Sequence, residues 1–320
     1  MRRYSRITGT GSYLPAGLLT NFDLEKRMDT SDAWIRERTG IERRHIVAPG
    51  ETTVDMAEHA ARAALAAAGR EAREVDLIIV GTCTPDLIFP NCGVMLQGRL
   101  GNLGGPALSV EAACSGFIYA LSLADKFIRA GESRLALVVG SESLSKLTNM
   151  NDRGTAILFG DGAGAVLLGP AEEPGILSTH LHADGSHLEL LRCTGGVSAG
   201  FHAEGDYIKM AGSEVFKIAV NMLGRAVDEA LEANGLGKDA LSWLVPHQAN
   251  IRIIQATAKK LGMPMERVIV TVADHGNTSS ASVPLALDAG VRDGRIKRGD
   301  LLLLEAFGGG FTWGSALVRY

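Results

Sequence analysis

Short apolar runs separated by longer stretches of helical spacing recur along this chain, and they restrict its fold more than any other feature. Residues 75–80 (VDLIIV), 107–113 (ALSVEAA, entered through Gly104-Gly105-Pro106) and 135–140 (LALVVG) read as strands. Residues 53–68, alanine-rich behind a Thr52 or Thr53 cap, and residues 115–130 read as helices. A strand that is apolar on both faces must be covered on both. Alternation with helices therefore predicts parallel strands inside an α/β architecture.

The scheme then repeats. Residues 215–234 predict a long helix ended near Gly235, 251–261 a second helix, and 241–245, 268–272 and 301–306 three strands. Each half closes on a similar phrase: Phe159-Gly160-Asp161-Gly162-Ala163-Gly164 runs into Ala165-Val166-Leu167, and Phe307-Gly308-Gly309-Gly310 leads to Gly314-Ser315-Ala316-Leu317-Val318. Both read as a glycine turn followed by a strand, a faint internal duplication. The seam falls near residues 170–175 (PAEEPG), dividing the chain into halves 1–172 and 173–320. Glycine makes up 39 of 320 residues, about 12% against an average near 7%, which fits tight turns and close backbone approaches.

A chain of 320 residues buries enough surface to need no disulfide or metal staple. With 32 basic and 36 acidic residues its net charge is −4, which excludes a global nucleic-acid or membrane footprint. An anionic partner must be met by a local patch. No signal-peptide core follows Met1-Arg2-Arg3, and the apolar runs, such as 301–304, are far shorter than a membrane span. Cys83, Cys92, Cys114 and Cys193 lack CxxC spacing, so reduced thiols in a cytoplasmic protein are the simplest reading.

Three residues carry chemical promise. Cys114 ends an extended stretch and precedes Ser115-Gly116, where helical spacing begins. A sulfur there meets the positive end of a helix dipole, which favours thiolate near neutral pH. A buried, inert cysteine would give the same local sequence. His247, in Pro246-His247-Gln248-Ala249-Asn250, follows a strand and starts a helix; Asn277, in His275-Gly276-Asn277-Thr278-Ser279, lies in a polar loop after another. Singly, His247 or Asn250 reads as a helix cap and Asn277 as a turn former. Together the three stand at strand ends, which in a parallel sheet can converge on one crevice.

These phrases, with Ala112-Ala113-Cys114-Ser115-Gly116-Phe117 and Ala306-Phe307-Gly308-Gly309-Gly310-Phe311-Thr312-Trp313-Gly314, resemble the β-ketoacyl-acyl-carrier-protein synthase III family. Thr30-Ser31-Asp32-Ala33-Trp34-Ile35, Arg38-Thr39-Gly40-Ile41 and Asp152-Arg153-Gly154-Thr155 match as well, in unbroken order from about residue 6 to residue 320. The resemblance implies a thiolase-type duplicated α/β fold, two similar halves with mixed sheets sandwiching helices. It implies that Cys114 attacks an acyl-CoA thioester and holds the acyl group, with the backbone N–H groups of Cys114 and Gly309 as oxyanion hole. His247 and Asn277 would stabilise the charge that develops when malonyl carrier protein loses CO2. No cofactor or metal is implied, since acyl-CoA and malonyl-[acyl-carrier-protein] are substrates.

The same resemblance places Trp34, Arg38 and Arg153 at the nucleotide end of CoA and Asn250 on its pantetheine arm. It also places Phe89 in the partner's acyl pocket across a homodimer, where a phenyl ring would favour acetyl or similarly small primers. Arg252, Lys259 and Lys260 fall seven to eight residues apart on one helix face and, with Lys217, would dock an acidic acyl carrier protein. An ordinary solvated stripe has the same pattern. His180, His182, His187 and His202 cluster without a matching carboxylate or cysteine set and read as surface residues.

Rival readings differ in specific residues. A thiolase needs a second cysteine in its late glycine motif, absent from 307–314. Chalcone-synthase-like enzymes fit the HQAN and GGGFTWG phrases poorly. A specialised synthase of secondary metabolism would keep the triad and change the second substrate. A cysteine hydrolase would set His beside the thiol as a base. A non-catalytic carrier-binding protein would have no use for all three residues.

Overall fold

A computed structural model of the chain describes residues 4–200 and 206–320. The first half is built on β1 (Tyr4–Tyr13), β2 (Leu77–Gly81), β3 (Ala107–Val110), β4 (Ala136–Ser143) and β5 (Asp161–Ala171), in the order β1-β5-β4-β2-β3. The second half uses β6 (Ile176–Ala183), β7 (Trp243–Pro246), β8 (Leu301–Gly308) and β9 (Thr312–Arg319), in the order β6-β9-β8-β7. Strand for strand the orders correspond: β1 to β6, β5 to β9, β4 to β8 and β2 to β7. The duplication hinted at by the two glycine phrases is therefore a duplication of topology.

Both sheets are mixed: the strands read from the apolar runs pair parallel as expected, and further strands join them antiparallel. β2 is parallel to β3 and β4, and β7 to β8; the closing strands β5 and β9 turn back antiparallel to their neighbours. β1 escapes the hydropathy pattern because its inward hydroxyls bond to buried carboxylates. Ser5 donates to Asp125 (2.7 Å), and Thr10 and Ser12 both donate to Asp288 (2.6 Å each). The strand expected at 268–272 shrinks to a single bridge between Leu244 and Val268, followed by the short helix Val272–His275. The Gln248 side chain accounts for this: its carbonyl oxygen accepts the N–H groups of Thr271 (2.8 Å) and Val272 (3.1 Å), which a ladder would otherwise need.

The helices that fill the remaining layers include α1 (Asp32–Thr39), α2 (Thr53–Ala68), α3 (Gly116–Ala130), α4 (Gly212–Glu232), α5 (Ile251–Leu261) and α6 (Ser282–Arg292). α3 and α6 lie between the sheets, α2 covers the outer face of the first, and α4 with α5 covers the second. The alternation along β2 explains the layering. Leu77 and Ile79 enter the central core with Phe117 and Leu304, while Ile78 and Val80 meet the alanines of α2. A reciprocal capping box between Thr52 and Asp55 starts α2. Because the central core mixes residues of both halves, the halves share one interior.

One buried charge stands out. Glu305 of β8 is fully buried, and neither carboxylate oxygen has a partner among the described residues. Burial pushes its carboxyl from 4.5 up to about 8. The folded chain thus keeps a proton that the unfolded chain releases. The contribution of this one group to stability is full below pH 4.5 and is lost as pH rises towards 8, by roughly 5 kcal/mol at the full extent of the difference. Glu305→Gln should therefore melt above the parent at about pH 8.5 and close to it at about pH 5. Thermal melts showing the same gap at both pH values would contradict a protonated Glu305.

Candidate active site

Cys114 lies in the 3-10 turn Ala113–Ser115 that joins β3 to α3. The chain reverses sharply there, with Ala113 at φ 45°, a conformation that costs energy for a residue with a Cβ. Two bonds to β9 hold the turn: Ser115 Oγ donates to the Thr312 carbonyl (3.0 Å), and Thr312 Oγ1 donates to that of Ala112 (2.8 Å). Gly308 lets the backbone of β8 press against it, since a Cβ at that position would sit 2.6 Å from the Cys114 nitrogen. The close approach thus falls at Gly308, one residue before the Gly309 named for the oxyanion hole. Cys114 stands at the helix start as predicted, yet burial opposes ionisation of its thiol. Burial pushes it up to about 12, against a smaller opposing pull from a hydrogen bond with the Ser279 side chain.

His247 directly follows β7, and its N–H donates to the Glu305 carbonyl (2.8 Å). Its Nδ1 meets Ser282 Oγ at 2.5 Å. Burial lowers the imidazole to about 3, so the ring is neutral. Gln248 staples this strand end to the segment leading to Asn277: besides the two N–H groups it accepts, it donates to the carbonyls of Pro246 (2.8 Å) and Ile269 (3.1 Å). All four bonding positions of that amide are filled.

Asn277 belongs to the second half by sequence, but the first half holds its backbone. Its N–H donates to Leu158 O (2.9 Å), and its carbonyl accepts from the Gly160 N–H (3.0 Å). The phrase Phe159-Gly160 is thus a clasp for a catalytic candidate. Buried Arg44 braces it from behind, donating to Ile157 O and to Asn21 Oδ1 (2.7 Å). The Asn277 side chain is oriented by its own loop: Oδ1 accepts the Ser279 N–H (2.9 Å), which leaves the amide N–H2 for a ligand.

Cys114, His247 and Asn277 line one cavity of about 590 Å3, with Gly309, Asn250 and Phe307 among the other lining residues. It offers a sulfur nucleophile, two neutral side-chain donors and the backbone of a glycine turn. Burial raises the Cys114 thiol and lowers the His247 imidazole, so desolvation favours the neutral pair over a thiolate–imidazolium pair. The arrangement favours donors acting on a developing oxyanion over a base-activated hydrolase.

Other candidates gather elsewhere. Trp34 is half-buried on α1, with the guanidinium carbons of Arg38 and Arg153 at 4.7 and 4.8 Å from its ring centre. None of the three lines the cavity, but α1 is locked to its rim: Gly40, at φ 75°, abuts Ile251, the first residue of α5. Asn250 caps α5, accepting the Ile253 N–H (3.0 Å), and still faces the cavity. Lys217, Arg252, Lys259 and Lys260 are exposed on α4 and α5, with Arg252 over the Phe216 ring (5.8 Å) and the Lys260 stem laid across Gly224. Phe89 is 84% exposed, so it is no core residue.

His180 and His182 both face Glu229, and His187 pairs with Asp184. His202 lies outside the described residues. Among the described residues no group of three or more His, Cys, Asp or Glu side chains could hold a metal ion. Ser279, Ser282 and Gln248 were not singled out from the sequence, although each lies within or beside a phrase that was. Small polar residues in a polar loop give no sign of which backbone group they will meet.

Comparison with known proteins places the chain in a family. The profile described as 3-oxoacyl-[acyl-carrier-protein (ACP)] synthase III matches residues 108–185, and its C-terminal counterpart matches residues 231–320. The chain is 62% identical over 318 residues to the beta-ketoacyl-[acyl-carrier-protein] synthase III of Thiobacillus denitrificans, covering 99% of both. It superposes on the crystal structure of 3-oxoacyl-[acyl-carrier-protein] synthase III from Aquifex aeolicus with a TM-score of 0.93 and 47% identity, covering 99% of this chain and 100% of that one. The priming beta-ketosynthase of the R1128 polyketide pathway gives the same TM-score at 39% identity, over 99% and 96% of the two chains.

Proposed function

The chain belongs to the β-ketoacyl-[acyl-carrier-protein] synthase III family, and from that premise we propose that Cys114, His247 and Asn277 divide its reaction between them. That reaction is the decarboxylative condensation of an acyl-CoA with malonyl-[acyl-carrier-protein], which starts fatty-acid synthesis. One observation carries the assignment: the three side chains share one cavity although they come from distant parts of the chain.

In the first step the Cys114 sulfur attacks the acyl-CoA carbonyl, and its proton ends on the departing sulfur, so that CoA leaves as the thiol. The N–H groups of Cys114 and Gly309 are the donors for the tetrahedral oxyanion. In the second step the bond from malonyl carbon to carboxylate breaks and its electron pair moves into the thioester, forming an enolate as CO2 leaves. His247 and Asn277 donate hydrogen bonds to the enolate oxygen. Neutral donors suit this task, because they stabilise charge only as it forms. The enolate carbon then attacks the acyl-Cys114 carbonyl, and the sulfur departs as thiolate and takes up a proton from solvent, which restores the thiol. The Cys114 sulfur supplies the electron pair of the first step and the malonyl group that of the second, and no step changes an oxidation state that would need a redox cofactor.

The finer features extend the same reading. CoA enters with its nucleotide end at Trp34, Arg38 and Arg153 and its pantetheine arm beside Asn250. The protein acts as a homodimer: β3 is the edge strand of its sheet, and the exposed Leu87, Ile88 and Phe89 follow the neighbouring β2. Phe89 then shortens the partner's acyl pocket, favouring acetyl-CoA. A cytoplasmic location agrees with four unpaired cysteines, and no helix among the described residues is long and apolar enough to cross a membrane.

Acyl carrier protein docks on Lys217, Arg252, Lys259 and Lys260, beside the cavity mouth at Asn250. Replacing Lys259 and Lys260 by Glu should raise KM for malonyl-[acyl-carrier-protein] at least tenfold or so, and leave acyl-CoA loading close to normal. Equal damage to both steps would reject the patch. The reading as a whole is tested by supplying acetyl-CoA and malonyl-[acyl-carrier-protein]. It requires a 3-ketobutyryl-[acyl-carrier-protein] product with release of CoA and CO2, and acetyl-CoA hydrolysis without condensation would reject it.

A further inference from the structure

His247 can donate to the enolate oxygen only if its hydrogen sits on Nε2, and a neutral imidazole carries one hydrogen on either nitrogen. The groups around Nδ1 decide which. Ser282, at the start of α6, is 1% exposed and has two partners. Its Oγ lies 2.5 Å from His247 Nδ1 and 3.3 Å from the backbone nitrogen of Gln248. The Gln248 N–H can only donate, so it takes one lone pair of Oγ. The hydroxyl hydrogen must then find an acceptor, and among the described residues Nδ1 is the one that Oγ meets.

In the opposite arrangement Nδ1–H and the Gln248 N–H would both donate to Oγ. The serine hydrogen would then be buried without a partner, which native interiors avoid. A relay from Gln248 N–H to Ser282 Oγ–H to Nδ1 gives both of these hydrogens an acceptor and leaves the imidazole hydrogen on Nε2. From this relay we infer that Ser282 is a positioning residue: it fixes His247 in the Nε2–H tautomer and aims that hydrogen into the cavity. The inference deepens the condensing reading and rests on it. Ser282 touches no substrate, and its effect passes entirely through the imidazole.

Gln248 holds the device in register. Its side chain ties the His247 strand end to Ile269, Thr271 and Val272, so the imidazole and the loop that carries Asn277 and Ser282 move as one piece.

Two measurements test the role. Nitrogen NMR of protein labelled at histidine, with the His247 signals assigned by their loss in His247→Ala, should show Nε2 protonated and Nδ1 bare in the parent. A parent resting as the Nδ1–H tautomer would overturn the inference, and this reading needs no Ser282 variant to fold. Kinetically, Ser282→Ala should lower kcat for condensation roughly tenfold to hundredfold, with KM for malonyl-[acyl-carrier-protein] little changed. Transfer of acetyl from acetyl-CoA to the protein should fall far less, and Ser282→Thr, which keeps the hydroxyl, should restore most of the loss. Condensation by Ser282→Ala at the parent rate would overturn the inference while leaving the condensing reading intact. Failure of the parent itself to condense would instead remove the reading on which it rests.

Discussion

Replacing Cys114 by alanine should abolish acyl transfer from acetyl-CoA, by roughly a thousandfold or more, because Cys83 and Cys193, the other thiols lining the cavity, are not on the turn against which Gly308 packs. The same variant should still release CO2 from malonyl-[acyl-carrier-protein]. His247 and Asn277 are anchored through Ser282, Gln248, Ser279 and the Leu158–Gly160 backbone, and none of these bonds passes through the cysteine side chain. Intact mass after incubation with acetyl-CoA and CO2 release with the malonyl substrate separate the two halves of the cycle. An alanine variant that still gains an acetyl group would remove Cys114 from its role.

Replacing Asn277 by alanine should have the reverse pattern. The variant should load acetyl on Cys114 but lose condensation by about a hundredfold to a thousandfold, corresponding to about 2.7–4 kcal/mol for one oxyanion donor. His247→Ala should behave alike, and the double variant should lose less than the product of the single losses, because both donors act on one oxygen. The Asn277 side chain also leaves the Ser279 N–H without its acceptor when removed, so some thermal destabilisation should accompany the kinetic loss. A variant condensing at the parent rate would show that the amide stabilises nothing in the transition state.

The helices at 53–68 and 251–261 could be read to the residue, because caps and glycine stops bracket an uninterrupted helical spacing. Cys114 and His247 were legible as residues following strands for the same reason, each after a local change of period. Asn277 instead follows the short helix Val272–His275, in place of the strand expected at 268–272. β1 was not legible, because its hydroxyls find their carboxylate partners more than a hundred positions away. Nor was the state of the Cys114 thiol. The local sequence gives the helix start, whereas the desolvation that outweighs it comes from chain packed around the sulfur, including Gly308 and the Ser279 loop. The clasp of Asn277 by the first half and the relay through Ser282 are likewise long-range pairings. Their residue types were visible, but their partners were not.

Cys83 lines the same cavity as Cys114, with its thiol donating to buried Glu142 (3.4 Å). Locating the acyl group therefore separates the proposed nucleophile from its neighbour. Protein acetylated by acetyl-CoA, digested and sequenced by mass spectrometry, should carry one acetyl thioester on the peptide containing Cys114, and malonyl-[acyl-carrier-protein] should discharge it. An acetyl group found on Cys83, or one that the malonyl substrate leaves in place, would contradict the account.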